Sequence, residues 1–114
     1  MWEVRYHPDA KEEASKQLPT KERVALAHAI EKLQVMGPRL RYPHQSNVEG
    51  AENLWELRPR SGRSPWRAFY RRIGDVFVIA AIGPEAQVNR RKFDRTAMVA
   101  QKRLDETTKE EEGV

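Results

Sequence analysis

Seven consecutive apolar residues, at positions 76–82, decide more about the architecture of this chain than any other stretch. A short apolar run of this kind is typical of a β-strand that is covered on both faces. Gly74 and Asp75 before the run, and Gly83 and Pro84 after it, are turn residues that bound the strand. A chain of 114 residues has room for one modest core, so we expect a single domain around this strand.

Two segments ahead of this strand alternate between apolar and polar residues with a period of two. They lie at positions 54–58 and 65–72, and a turn at Ser61, Gly62 and Arg63 separates them. This pattern predicts a β-hairpin. Together with the apolar strand that follows, the hairpin forms a three-stranded antiparallel meander.

Helical patterns lie on both sides of the meander. A short strand at 2–7 precedes a helix that starts near Asp9 and Glu12 and ends near Leu18. The next helix carries one apolar stripe, formed by Leu26, Ala29, Ile30, Leu33 and Met36, and it ends at Gly37-Pro38. Residues 38–51 show no period and predict a loop. The last helix, capped at Asn89, has its stripe at Phe93, Ala97, Ala100 and Leu104.

This order of elements predicts an α+β fold with an N-terminal strand and two helices, a three-stranded antiparallel meander and a C-terminal helix. Because helices are grouped ahead of the meander, we expect the helices on one face of the sheet. One domain spans residues 1–106, and residues 107–114 are an acidic, flexible tail. The absence of cysteine and of a long apolar run predicts a soluble, cytoplasmic protein with no membrane partner.

The net charge of +4 is unevenly distributed along the chain. Residues 37–74 carry eight Lys/Arg against three Asp/Glu, which is the whole excess, and residues 84–104 carry six against two. Two basic blocks therefore flank the apolar strand, and anionic partners such as nucleic acid are plausible.

Alternation places one set of charged residues on the same side of the hairpin. Trp55, Leu57, Trp66, Ala68 and Tyr70 form the apolar side, which must face the helices and makes the tryptophans core residues. The other side carries Glu56, Arg58, Arg60, Arg67, Phe69 and Arg71. Guanidinium groups bind phosphates and an aromatic ring stacks bases, so this set predicts an open groove for single-stranded RNA. The alternative is a solvated sheet face with an Arg67–Glu56 cross-strand pair.

The second basic block, Arg90, Arg91 and Lys92 with Arg95, begins the last helix, where the helix dipole also favours anions. Basic residues at a helix start are equally common without a ligand. His7, His28 and His44 are scattered with no ligand spacing, so neither a metal nor another cofactor is expected. Serine nucleophiles lack partners and no phosphate-binding glycine loop is present, which removes nucleophilic hydrolysis and nucleotide triphosphate chemistry.

The hairpin also resembles a known family. The segments NLWELR at 53–58 and PWRAFY at 65–70 are similar to the hairpin signature of HigB-like toxins, the phage-derived group of the RelE/ParE superfamily. The element order matches the RelE-like fold of that superfamily, and the resemblance covers residues 2 to about 106. The hairpin motif is fairly specific, and the remainder is pattern and spacing.

The resemblance implies a toxin of a type II toxin–antitoxin system. Such a toxin is a metal-independent endoribonuclease that cuts mRNA at the ribosome, inhibits translation and is silenced by a helix-turn-helix antitoxin. It implies Arg67 as the residue that stabilises the phosphate, Arg58 and Arg60 as holders of the RNA backbone, and Glu56 as the residue that orients an arginine. From the strand alternation and the basic start of the last helix, we also expect RNA contacts at Phe69, Arg71, Arg90, Arg91 and Lys92.

One segment departs from the family pattern. Many HigB-like toxins carry a lysine pair after the last strand, whereas this chain has Glu85 there and keeps only Gln87. Either Glu85 is a general base, or the basic residues from Arg90 take over, or the nuclease is weak or lost. Two other functions stay open, a ParE-type toxin that poisons DNA gyrase and a non-catalytic module that binds nucleic acid or protein.

Overall fold

The fold combines three helices with a five-stranded sheet. The computed structural model describes residues 1–112, and the side chains of residues 1–108. The elements are β1 (Glu3–Tyr6), α1 (Pro8–Gln17), α2 (Thr20–Met36), β2 (Gln45–Asn47), β3 (Trp55–Leu57), β4 (Trp66–Ile73), β5 (Val76–Pro84) and α3 (Arg90–Glu112), with short 3-10 turns at Gly37–Arg39 and Pro59–Gly62. The predicted α+β class is confirmed, and the predicted elements occur in the predicted order, with β2 as an additional strand.

The strands lie in the order β1-β5-β4-β3-β2. Strand β1 is parallel to β5, and the remaining neighbours are antiparallel, including the predicted meander β3-β4-β5. Strand β2 was missed, because it lies within the segment that was predicted to be a loop and has only three residues. Its register pairs Ser46 with Glu56, which places β2 at the edge of the sheet.

Local signals mark the helix ends. Asn89 caps α3 as predicted, since its Oδ1 accepts a hydrogen bond of 2.9 Å from the backbone N–H of Lys92. Helix α1 begins one residue earlier than its acidic signature, because His7 Nδ1 accepts from the Asp9 N–H. Gly37 ends α2 with a φ of 54°, and a Cβ there would lie 2.4 Å from Nε1 of Trp2, so both conformation and space require glycine.

The helices cover both faces of the sheet, which corrects the expectation of helices on one face only. On one face α1 and α2 pack on β-strand residues such as Leu57, Tyr70 and Ile79, with Trp55 and Trp66 packed against this cluster. On the other face α3 packs on β4 and β5, in a cluster that includes Phe69, Ala80, Ala81, Phe93 and Leu104. The reason is that β5 is apolar on both sides, and only a helix on each side removes both from water.

One ion network closes the edge of β5 beyond the end of β1. The last pair between β1 and β5 joins Tyr6 to Ile79, so the backbone of Ala80 and Ile82 has no strand partner on that side. Glu13 accepts from the Ile82 N–H at 3.1 Å, and Arg103 Nη1 donates to the Ala80 carbonyl at 2.8 Å. Arg103 Nη2 also binds Glu13 at 2.9 Å. We call Glu13, Arg103 and these two backbone groups the edge lock.

Helix α3 continues to Glu112, so residues 107–112 are helical, and residues 113–114 lie outside the described part of the chain. The division into a domain at 1–106 and a tail stays a prediction. Among the described residues, no helix is long and apolar enough to cross a membrane, and no group of three His, Cys, Asp or Glu side chains could hold a metal ion.

Candidate RNA-binding and catalytic site

Four charged side chains form a row of alternating sign near the connection between β3 and β4. In order they are Arg58, Glu56, Arg67 and Glu85, which we call the charged row. Arg58 Nη1 lies 2.9 Å from Glu56 Oε1, Arg67 Nε lies 3.4 Å from the same oxygen, and Arg67 Nη2 lies 2.7 Å from Glu85 Oε2. The Arg67–Glu56 pair of the alternative derived from the sequence is present, but its face is not solvated, since Arg67 is 2% and Glu56 8% exposed.

Arg67 is the most enclosed member of the row, with 2% of its side chain exposed. Its Nη1 donates to the carbonyls of Ser64 at 2.7 Å and Trp66 at 2.8 Å, and its Nη2 donates to Gly62 at 3.2 Å as well as to Glu85. The guanidinium therefore ties the β3–β4 connection to the segment after β5. It is held rigidly in one orientation.

The electrostatics of Arg67 follow from this enclosure. Burial lowers the pKa of the Arg67 guanidinium, and the neighbouring charge of Arg58 lowers it further, while the carboxylates of Glu56 and Glu85 oppose both effects. The two carboxylates thus compensate a cation that has little water around it. A phosphate that displaced Glu85 would supply the same compensation.

Arg58 and Glu85 are the two ends of the row and its more accessible members. Their side chains are 18% and 25% exposed. Arg58 also donates from Nε to the Pro43 carbonyl at 3.0 Å and lies 5.0 Å above the ring of Tyr42. Gly62 lies against the Arg58 guanidinium, since a Cβ on it would be 2.6 Å from Nη2. The turn after β3 therefore leaves room for the Arg58 guanidinium only because residue 62 has no side chain.

Glu22 supports this turn from α2, and the sequence analysis missed it. Its carboxylate, 8% exposed as a residue, accepts a hydrogen bond of 2.8 Å from Ser64 Oγ and binds Arg60. Arg60 and Ser61 have φ values of 54° and 57°, a left-handed conformation that costs a non-glycine residue about 1–2 kcal/mol. The contacts of Glu22 offset that cost. The only sequence signal was a charged residue next to an apolar helix stripe.

Two predicted RNA-binding residues are not on an open face, because α3 covers it. Phe69 is fully buried, with its ring centroid 5.1 Å from that of Phe93, so the predicted base-stacking platform is wrong. Arg71 is 7% exposed, and it donates to the Asn53 carbonyl at 2.8 Å and binds Asp105 at 2.8 Å. It fastens the β2–β3 connection to α3. The open groove predicted on this face is therefore closed.

The second basic block lies at the exposed start of α3. Arg90 pairs with Asp94 at 3.2 Å and lies 5.7 Å above the ring of Phe93, while Arg91 and Lys92 are exposed. The segment between Glu85 and the helix is a turn in which the N–H of Asn89 donates to the Glu85 carbonyl at 3.2 Å. An RNA-binding role for this block stays a prediction.

The arrangement has the parts needed for phosphate chemistry. A fixed guanidinium, a second guanidinium near the surface and a partly exposed carboxylate lie within one row. Such groups can bind a phosphodiester, stabilise charge that develops on it and accept a proton.

Comparison with known proteins places this architecture in a family. The family model described as Phage derived protein Gp49-like (DUF891) matches residues 13–83, more than half of the chain. The chain belongs to this family. No curated protein matches the sequence.

Solved structures share the fold. A free double mutant of the E. coli toxin RelE is similar with a TM-score of 0.61 at 17% identity, covering 85% of this chain and 94% of that chain. A chain of the intact E. coli RelBE toxin–antitoxin complex gives a TM-score of 0.58 at 18% identity, covering 75% of this chain and 98% of that chain. A chain of the RelBE2 toxin–antitoxin complex of Mycobacterium tuberculosis gives a TM-score of 0.57 at 19% identity, covering 74% of this chain and 98% of that chain. The chain has a RelE-like fold.

Proposed function

We propose that this protein is the toxin of a type II toxin–antitoxin pair, and that it is a ribosome-dependent endonuclease that cuts mRNA and stops translation. The charged row, which ends in a partly exposed carboxylate, is the observation that carries the proposal. The RelE-like fold supports it, as does the hairpin signature that resembles HigB-like toxins. The RelBE complexes support a cognate antitoxin as the partner.

In the proposed reaction the RNA supplies its own nucleophile. Glu85 accepts the proton of a ribose 2′-hydroxyl, and the 2′-oxygen attacks the adjacent phosphorus. The bond to the 5′-oxygen breaks, that oxygen takes a proton from solvent, and a 2′,3′-cyclic phosphate remains. This route requires no metal, because the nucleophile is already held beside the phosphate.

The arginines have separate parts in this mechanism. Arg58, near the surface, binds a non-bridging phosphate oxygen through a guanidinium edge. Arg67 stabilises the negative charge that develops on the phosphate, once the phosphate displaces Glu85 from Nη2. Glu56 contacts both guanidinium groups and holds them next to each other. Arg60 extends the basic surface next to Arg58.

The test is to map new 5′ ends in translated messages after brief expression of the wild type, Glu85→Gln or Glu49→Gln. Glu85→Gln keeps a hydrogen-bond acceptor for Arg67 but removes the base, so cleavage should fall about a hundredfold or more. Glu49 is exposed and outside the charged row, so Glu49→Gln should cut as the wild type does.

Other outcomes would replace the proposal. Growth arrest with DNA damage, intact messages and continued translation would favour the gyrase-poison alternative. Equal cleavage by Glu85→Gln and the wild type would remove Glu85 as the base. Cuts that appear in messages that are not being translated, or in purified RNA without ribosomes, would remove the ribosome from the mechanism.

A further inference from the structure

A large groove lies on the α2 side of the charged row. Its volume is about 1030 Å³, and it is bounded by α2, by residues 39–44 and by the turn after β3. Ala25 and Ala29 of α2 contribute to its apolar lining, together with Val35 and Met36, which are 61% and 38% exposed. Arg58 lines the opposite side. We call this the α2 groove.

The rim of the α2 groove is strongly cationic. Lys32, Arg39 and Arg41 lie along it, next to Arg58 and Arg60. Within the described side chains, the first three form no ion pair, whereas Arg58 and Arg60 are paired with Glu56 and Glu22. The one acidic residue that lines the groove is Glu31. The groove therefore combines an apolar lining with uncompensated positive charge.

We propose that the α2 groove binds an amphipathic helix with an apolar stripe and acidic flanks. The apolar stripe packs on Ala29, Val35 and Met36, and the acidic flanks pair with Lys32, Arg39 and Arg41. The part of α2 that lines the groove runs from Ala25 to Met36, about 17 Å at 1.5 Å per residue. The bound helix therefore has about three turns along this wall.

The lining distinguishes this occupant from two others. RNA binding favours stacking on large aromatic rings, but no Phe, Tyr or Trp lines the groove, whose aromatic residues are His28 and His44. Arg58 covers one face of the nearby Tyr42 ring. A second copy of this chain that presented the same groove would bring like charges together. An acidic helix removes the apolar wall from water and neutralises the rim in one contact.

Occupancy of the groove has a consequence for the charged row. Arg58 belongs to both, so a helix bound there covers the guanidinium that the proposed mechanism uses to hold a phosphate. Binding of the helix and binding of RNA are then mutually exclusive. This inference rests on the proposed function insofar as the helix is a segment of the cognate antitoxin.

The experiment uses the full chain and labelled 15-residue peptides in fluorescence anisotropy. Three helical peptides carry Leu, Ile or Met at spacings of three and four, with Glu on both flanks, and each has a scrambled partner of equal composition. A 12-nucleotide single-stranded RNA is the competing probe. At least one periodic peptide should bind tenfold or more tightly than its scrambled form, and raised salt should weaken it.

The protein variants locate the binding. Val35→Glu and Lys32→Glu should weaken peptide binding at least tenfold. The first places a charge on the apolar wall, and the second reverses a positive charge on the rim. Val99→Glu and Lys102→Glu are the matched controls, because they make the same changes at exposed positions on α3, on the other face of the sheet. Their affinity for the peptide should stay within twofold of that of the wild type. Circular dichroism confirms that each variant is folded.

Several outcomes overturn the inference. It is wrong if no periodic peptide binds, if scrambled peptides bind equally, or if all four variants respond alike. It is also wrong if Val35→Glu weakens the RNA but not the peptide, because the groove is then an RNA site. Message cleavage in cells is scored separately. Intact cleavage without peptide binding removes only the groove inference, and peptide binding without cleavage removes only the nuclease.

Discussion

The charged row and the edge lock are built from the same residue types but have different surroundings. In each, an arginine donates to backbone carbonyls and to a carboxylate, as Arg67 does to Gly62 and Glu85, and Arg103 to Ala80 and Glu13. The edge lock supplies partners to backbone groups at a sheet edge, and its Arg103 lines a smaller pocket of about 380 Å³. The charged row ends at Arg58, which lines the α2 groove of about 1030 Å³.

The difference teaches that an enclosed arginine alone does not indicate a catalytic site. Arg67 is more enclosed than Arg103, at 2% against 18% side-chain exposure. Side-chain exposure does not separate the two networks, since Arg58 and Glu85 are 18% and 25% exposed and Arg103 and Glu13 are 18% and 23% exposed. The difference is the size of the adjoining groove, about 1030 Å³ beside Arg58 against about 380 Å³ beside Arg103. Variants in both networks should therefore lower stability, but only those in the charged row should lower RNA cleavage per folded molecule.

The largest expected effect is that of Arg67→Ala. It leaves Glu56 and Glu85 without their shared cation and removes three donors to backbone carbonyls, so the free energy of unfolding should fall by about 3–5 kcal/mol. Urea denaturation measures this loss. A loss below about 1 kcal/mol would show that Arg67 is not structural.

Arg103→Ala should lower the free energy of unfolding by a smaller amount, about 1–3 kcal/mol, because the Ala80 carbonyl loses its donor. Message cleavage per folded molecule should equal that of the wild type. Comparing cleavage with the soluble, folded fraction of each variant provides the measurement. A drop in cleavage at full folding would contradict the distinction between the two networks.

The smallest effect sharpens the comparison within the turns. Gly62→Ala and Gly50→Ala both place alanine at positive φ, 91° and 81°, and each should cost about 1 kcal/mol. Only at Gly62 does the new Cβ meet the Arg58 guanidinium, since nothing lies within 4 Å at Gly50. Thermal denaturation should therefore show a loss for both variants that is larger for Gly62→Ala, while cleavage per folded molecule falls for Gly62→Ala alone. Equal cleavage would place Arg58 outside the mechanism.

Much of the fold could be predicted because it depends on local patterns. The period of apolar residues distinguished the helices from the meander, and the short polar side chain of Asn89 marked the start of α3. Strand β2 could not be predicted in this way, since three residues are too few for a period. It pairs with β3 only because the preceding loop brings it there.

The candidate site was predicted in part. Alternation correctly grouped Glu56, Arg58 and Arg67, because residues two apart on a strand point to the same face. It also grouped Phe69 and Arg71 with them, although α3 buries both. Alternation within a strand shows which side chains share a face. It does not show how much of that face a later helix covers.

The sequence by itself therefore determined every element except β2, the order of those elements and the basic character of the region around β3 and β4. The tertiary structure alone decided that α3 covers the second face, that Glu22 meets Arg60 and Ser64 across 38 and 42 residues, and that a groove opens between α2 and Arg58. The physical reason is the range of the interactions. Propensity and periodicity act between neighbours along the chain, whereas burial and ion pairing depend on which surfaces the packed core brings together.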